Sequence, residues 1–142
     1  MSRNYFVDVT LVAKFQNKLN ILKILENGSR LGFIYYDQIM GKKYENSPIL
    51  TPNQALEKII NSIELDLEGG PTVYTRINEQ SCAFLSFYDN EELVKCSIFG
   101  MTNVVRKEFE EDCYEIDFAF YIKIILDLCE NFAIKSIEIG EY

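Results

Sequence analysis

Histidine is absent from the 142 residues, which excludes a Ser-His-Asp or Cys-His catalytic group, an imidazole general base and any zinc site using imidazole. The four cysteines, Cys82, Cys96, Cys113 and Cys129, include no C-x-x-C pair, so the zinc-knuckle and thioredoxin-type patterns are missing as well. A lone cysteine nucleophile would need a nearby cation or a helix N-terminus. Cys113 instead stands among carboxylates and Cys129 late in an apolar helix, and both placements disfavour a thiolate. Cys82 and Cys96 fall in strand-like segments and read as structural thiols, all four being expected reduced. Carboxylates alone can hold a hard cation, but no D-x-D-x-D-G loop occurs, and Asp112 and Glu115 bracket Cys-Tyr without a glycine turn. No metal and no cofactor are therefore expected. Gly69-Gly70-Pro71 lacks the lysine of a phosphate loop, and the basic residues form no group longer than a pair such as Lys42-Lys43, so nucleic acid is not an expected partner. The aromatic residues of SCAFLSFYD and DFAFYIKII recur at core spacing and are expected to pack inside rather than stack on bases.

What remains is charge. Fourteen Lys and Arg against twenty-two Asp and Glu give a net charge of -8, and the excess lies wholly in residues 71–142. Its densest part is EFEEDCYEID, residues 108–117. Crowded carboxylates repel one another weakly, a few tenths of a kcal/mol per close pair as a rough guide. They also make a field that steers a basic partner and raises its association rate. The candidate partner-binding residues are accordingly Glu108, Glu110, Glu111, Asp112, Tyr114 and Glu115, with Tyr88, Asp89, Glu91 and Glu92 from a second acidic turn. Tyr114 and Tyr88 are the expected aromatic anchors.

The elements that must position these residues follow from periodicity. Residues 5–15 alternate as a half-buried strand, and Asn17 opens a short helix that Gly28 is expected to end. RLGFIYYD reads as a second strand, followed by a long connection over residues 37–50, under which a ligand pocket could lie. Thr51-Pro52 starts an amphipathic helix that EGGP terminates. TVYTRIN, SCAFLSFYD, ELVKCSIFG and NVVRKEFEE then read as an antiparallel meander with turns at Glu79-Gln80, Asp89-Asn90 and Gly100-Met101. A hairpin turning near Asn90-Glu91 would pair Cys96 with Leu85 and Cys82 with Phe99, leaving those thiols on opposite faces. Asp117 caps a largely buried helix, and IKSIEIG closes the chain as a strand.

The order β-α-β-α-β-β-β-β-α-β lacks regular alternation and predicts an α+β class: one globular domain over residues 1–142, a mixed, largely antiparallel sheet, and about three helices packed on it. No signal peptide and no membrane span are expected, which points to the cytoplasm. With enzyme chemistry short of residues, the expected function is a non-enzymatic acidic binding module, monomer or homodimer, acting on a basic protein. In size, acidity and lack of catalytic residues the chain is similar in kind to the immunity proteins with which bacteria neutralise toxic nucleases and other effector domains; the likeness covers no motif. An assembly subunit pairing through a sheet edge and a small-molecule-binding domain are the alternatives.

Overall fold

A computed structural model describes residues 5–12, 18–37, 47–64, 72–90, 93–102 and 104–141. Nine strands and three helices are present among them: β1 (Tyr5–Leu11), α1 (Lys18–Arg30), β2 (Ile34–Tyr36), β3 (Ile49–Leu50), α2 (Pro52–Glu64), β4 (Thr72–Arg76), β5 (Cys82–Asn90), β6 (Leu93–Thr102), β7 (Arg106–Glu110), β8 (Cys113–Ile116), α3 (Phe118–Leu128) and β9 (Ile134–Glu141). Seven strands form one sheet in the order β3-β2-β4-β5-β6-β1-β9, and β7 and β8 form a separate pair. Every pairing is antiparallel. The expected α+β class is what the chain adopts.

Strand alternation builds the core. Val7, Val9 and Leu11 of β1, Leu85 and Phe87 of β5, and Cys96 and Ile98 of β6 share one buried cluster with Ile21, Ile24 and Leu25 of α1, Ala55 and Ile59 of α2, and Tyr121, Ile125 and Leu128 of α3. All three helices thus cover the same face of the sheet. On α2, Thr51 accepts from the Gln54 N–H at 3.2 Å while Gln54 accepts from the Thr51 N–H at 2.9 Å, a reciprocal cap that fixes the helix start. The other face carries a row of residues directly opposed across the strands: Tyr36, Tyr74, Phe84, Phe99 and Phe6, ending at Gly140 on β9. Phe84 and Phe99 stack at 5.6 Å, and Tyr74 meets Phe84 edge-on at 5.1 Å. The rings cover one another across the strands, which accounts for a small second cluster of Tyr36, Tyr74 and Cys82 on this helix-free face.

Several local expectations are corrected. α1 continues through Gly28, and the left-handed residue after it is Gly32, at φ 96°. Gly28 is instead a contact point, because a Cβ there would collide with the Tyr35 hydroxyl that donates to the Leu25 carbonyl at 2.7 Å. Asp89-Asn90 and Gly100-Met101 lie within β5 and β6; Gly100, at φ 61°, faces Phe84, which a Cβ would meet at 2.8 Å. The β5–β6 ladder runs on to Asn90 opposite Leu93, so Cys96 lies opposite Phe87 and Leu85 opposite Ile98. A bulge between Cys82 and Phe84 sets Cys82 opposite Thr102. Because the slip from the expected register is two residues, the faces are kept: Cys96 joins the main core and Cys82 the second cluster. The largest correction concerns residues 103–111, expected as the fourth strand of the meander. β7 leaves the sheet and pairs with β8, a strand the acidic sequence hid, and β1 takes the place beside β6. Only one face of α3 is fully buried, at Tyr121, Ile125 and Leu128, while Leu126 is exposed. Asn17, residues 38–46 and EGGP lie outside the described residues.

Candidate protein-binding hairpin

The β7–β8 hairpin is made by a turn at Glu111 and Asp112. Asp112 takes the left-handed conformation, φ 61°, which Asp tolerates better than most residues, and its N–H donates to the Glu108 carboxylate at 3.1 Å. Arg106 lies opposite Ile116, Lys107 opposite Glu115 and Glu108 opposite Tyr114, with a register shift that sets Glu110 opposite Cys113. Lys107 and Glu115 form an ion pair at 3.9 Å with both side chains about half exposed, so solvent leaves it little strength. Every residue of the hairpin except Ile116 is exposed.

Its root is fixed by the start of α3. The Asp117 N–H donates to the Val105 carbonyl at 2.9 Å, and the Val105 N–H donates to the Tyr121 hydroxyl at 3.0 Å. The Asp117 carboxylate accepts from the Phe120 N–H at 3.1 Å, the cap expected from sequence. Tyr121 is fully buried, and burial pushes its phenol above the ordinary tyrosine range. A rigid buried tyrosine therefore holds one strand of the hairpin, and the cap holds the other.

Glu108, Glu110, Glu111, Asp112, Tyr114 and Glu115 are thus gathered on one projecting element. Phe109, which sequence reasoning did not single out, stands beside them: it is 56% exposed and Tyr114 is 57% exposed. The signal was the alternation Glu-Phe-Glu in a strand segment, which gave the phenylalanine no apolar neighbours to pack with. Tyr88 and Asp89 lie near the end of β5, opposite Lys95 and Val94; their side chains, and Glu91 and Glu92 altogether, lie outside the described residues. β5 joins β6 at the Leu93 end of that strand, whereas the chain leaves for the hairpin from the Thr102 end, nine residues or roughly 30 Å away along the strand. The two acidic groups are therefore rooted at opposite ends of β6.

Elsewhere several polar groups among the described residues are occupied by the fold, while the buried Ser86 hydroxyl has no hydrogen-bond partner. The Asp8 carboxylate accepts from the Ser97 hydroxyl and lies 3.5 Å from the Lys95 ammonium on the helix-free face. Lys58 bridges α2 to Asp37 at 3.0 Å. A cleft of about 560 Å³ lies between α1 and the α3–β9 connection, lined by Asn20, Lys23, Arg30 and Asn131 among others; most of the 37–50 connection, under which a pocket was expected, lies outside the described residues. Asn27 at its floor spends its amide on the Leu128 carbonyl, 3.0 Å away. Cys96 and Cys129 are in contact in the core; that contact, with burial, pushes the Cys96 thiol well up. Burial also raises Cys82. Among the described residues no three His, Cys, Asp or Glu side chains are grouped to hold a metal ion, and no helix is long and apolar enough to cross a membrane.

In comparisons with protein-family models, curated proteins and solved structures, nothing matched the chain.

Proposed function

We propose that the chain is a non-enzymatic, cytoplasmic protein-binding module that neutralises a basic effector, a nuclease fitting the charge best, by covering its working surface in the manner of bacterial toxin immunity proteins. The observation that carries this reading is the concentration of Glu108, Glu110, Glu111, Asp112 and Glu115 with two exposed aromatic rings on one hairpin outside the core. Carboxylates projecting together would occupy a cationic groove shaped for phosphate and speed the encounter. Phe109 and Tyr114 would then be desolvated in the partner and slow its release, since aromatic anchors dominate most interfaces. Fixing of the root by Tyr121 and Asp117 lowers the ordering cost of binding.

The test is a photo-crosslinking residue placed at Tyr114 in the full chain, expressed in the cell of origin. The captured protein is then purified and its association with the unmodified chain followed by stopped flow. The reading expects a basic protein whose activity the chain inhibits, and an on-rate that falls severalfold in Glu110→Gln with Glu111→Gln at low salt. At high salt the two forms should converge, as screening over about 8 Å at physiological ionic strength removes steering. A captured partner of acidic surface, or an on-rate untouched by the double change at low salt, removes the hairpin as recognition element.

A further inference from the structure

The two rims of the seven-stranded sheet are unlike. β3 is two residues long and offers little to pair with, whereas β9 runs for eight, and no described residue pairs with its outer side. An unpaired edge strand presents a row of open N–H and C=O groups to any further strand. The side chains repeat the asymmetry. Val7 and Val9 of β1 are completely buried, but the residues opposite them on β9, Ile139 and Ile137, are 39% and 37% exposed. The apolar layer therefore continues past the last helix to the rim, and among the described residues no helix overhangs the edge.

Beyond the hairpin reading and independently of it, we propose that β9 pairs antiparallel with β9 of a second copy, about a two-fold axis through Glu138, to make a homodimer with a continuous sheet. Two-fold pairing that keeps both helical layers on one side joins residues of like face. Centred on Glu138, it sets each Ile137 opposite the second copy's Ile139 and each Ser136 opposite Gly140. Lys135, at the bulge where the β1–β9 register shifts, then comes opposite Glu141. A strongly basic partner strand would instead bring its cations against Lys135 and leave the isoleucines unmatched; a second copy supplies both complements. The arrangement carries one unfavourable contact, Glu138 against its own image, and that contact identifies the register.

Sedimentation of the full chain alone, from about 5 to about 500 µM, should show a dimer with a dissociation constant of roughly 1–100 µM, as suits a narrow interface. Ile137→Lys should weaken it at least tenfold. Glu138→Gln should tighten it about two- to threefold at low salt and less at high salt, by relief of like-charge repulsion. In a Cys113→Ser background, Glu138→Cys treated with oxidised glutathione should give an interchain disulfide, the two thiols losing their protons and two electrons to form two molecules of reduced glutathione. Ser136→Cys, which faces glycine, should not. The crosslink decides the matter even if Ile137→Lys fails to fold. A monomer at the highest concentration, crosslinking as efficient at 136 as at 138, or a dimer abolished by Glu110→Gln with Glu111→Gln would each overturn the proposal, the last by moving the contact to the hairpin.

Discussion

Asp117 carries a share of stability that can be measured without any partner. Its carboxylate caps α3 through the Phe120 N–H, so Asp117→Ala is expected to lower unfolding free energy by about 1 kcal/mol in a denaturant melt. The same change should loosen the hairpin root, visible as faster hydrogen exchange at Val105. Gly28 should reverse a familiar rule. Alanine in place of a helical glycine ordinarily stabilises by about 0.5–1 kcal/mol, but here the added methyl meets the Tyr35 hydroxyl. Gly28→Ala is therefore expected to destabilise by roughly 1–3 kcal/mol, as overpacked cores do. Combining it with Tyr35→Phe should cost less than the two single changes added together, a coupling that a double-mutant cycle reads directly. Asp117 was legible from sequence because a cap is a local signal four residues wide. Gly28 was not, since Asn27-Gly28 resembles a helix terminus and the tyrosine that claims the space comes seven residues later from a strand.

The hairpin is the element on which fold and function separate. Its carboxylates are exposed and hold nothing in the core, so Glu110→Gln with Glu111→Gln should leave the denaturant midpoint within about 0.5 kcal/mol of the parent, or raise it slightly. Unfolding on that change would mean that the acids support the fold. Cys113 is exposed on this hairpin while Cys82, Cys96 and Cys129 are buried, which predicts one fast alkylation in the native protein and four after denaturation. More than one fast thiol would place a second cysteine outside the core. Residues 108–117 were legible as a site because their charge needs no tertiary information. Their strand character was not: β8 reads Cys-Tyr-Glu-Ile, and its turn is Glu-Asp rather than Asn-Gly, so neither strand propensity nor turn chemistry announced a hairpin. The pairing of β7 with a neighbour only a few residues away outcompeted the sheet position that the meander pattern had assigned to it.

For the whole molecule, the buried acids set the alkaline limit of stability. Cys82, Cys96, Tyr35 and Tyr121 all have their ionisation pushed up by their surroundings in the fold: burial is the first cause for three, and the Cys129 contact for Cys96. Each therefore holds its proton in the folded chain at a pH where the unfolded chain has lost it. Their stabilisation is complete below the unfolded values, about 8.5 for cysteine and about 10 for tyrosine, and is lost as pH rises beyond them. Unfolding free energy should decline by about 1 kcal/mol or more per pH unit between roughly pH 9 and 10; a flat profile over that window would show the thiols and phenols to be open to water. The α+β class was legible from period-2 and period-3.6 stretches, but strand order was not, because nothing local says that β1 sits between β6 and β9. That placement has a consequence for the chain as it is made. At roughly 5–20 residues per second, β1 leaves the ribosome about 5–25 seconds before β9 exists to pair with it. Over that interval Val7, Val9 and Leu11, all completely buried in the finished sheet, have one edge unfilled. Nascent chains stalled before residue 134 should therefore recruit chaperones through residues 5–11, and emergence of β9 should end that recruitment at a stroke.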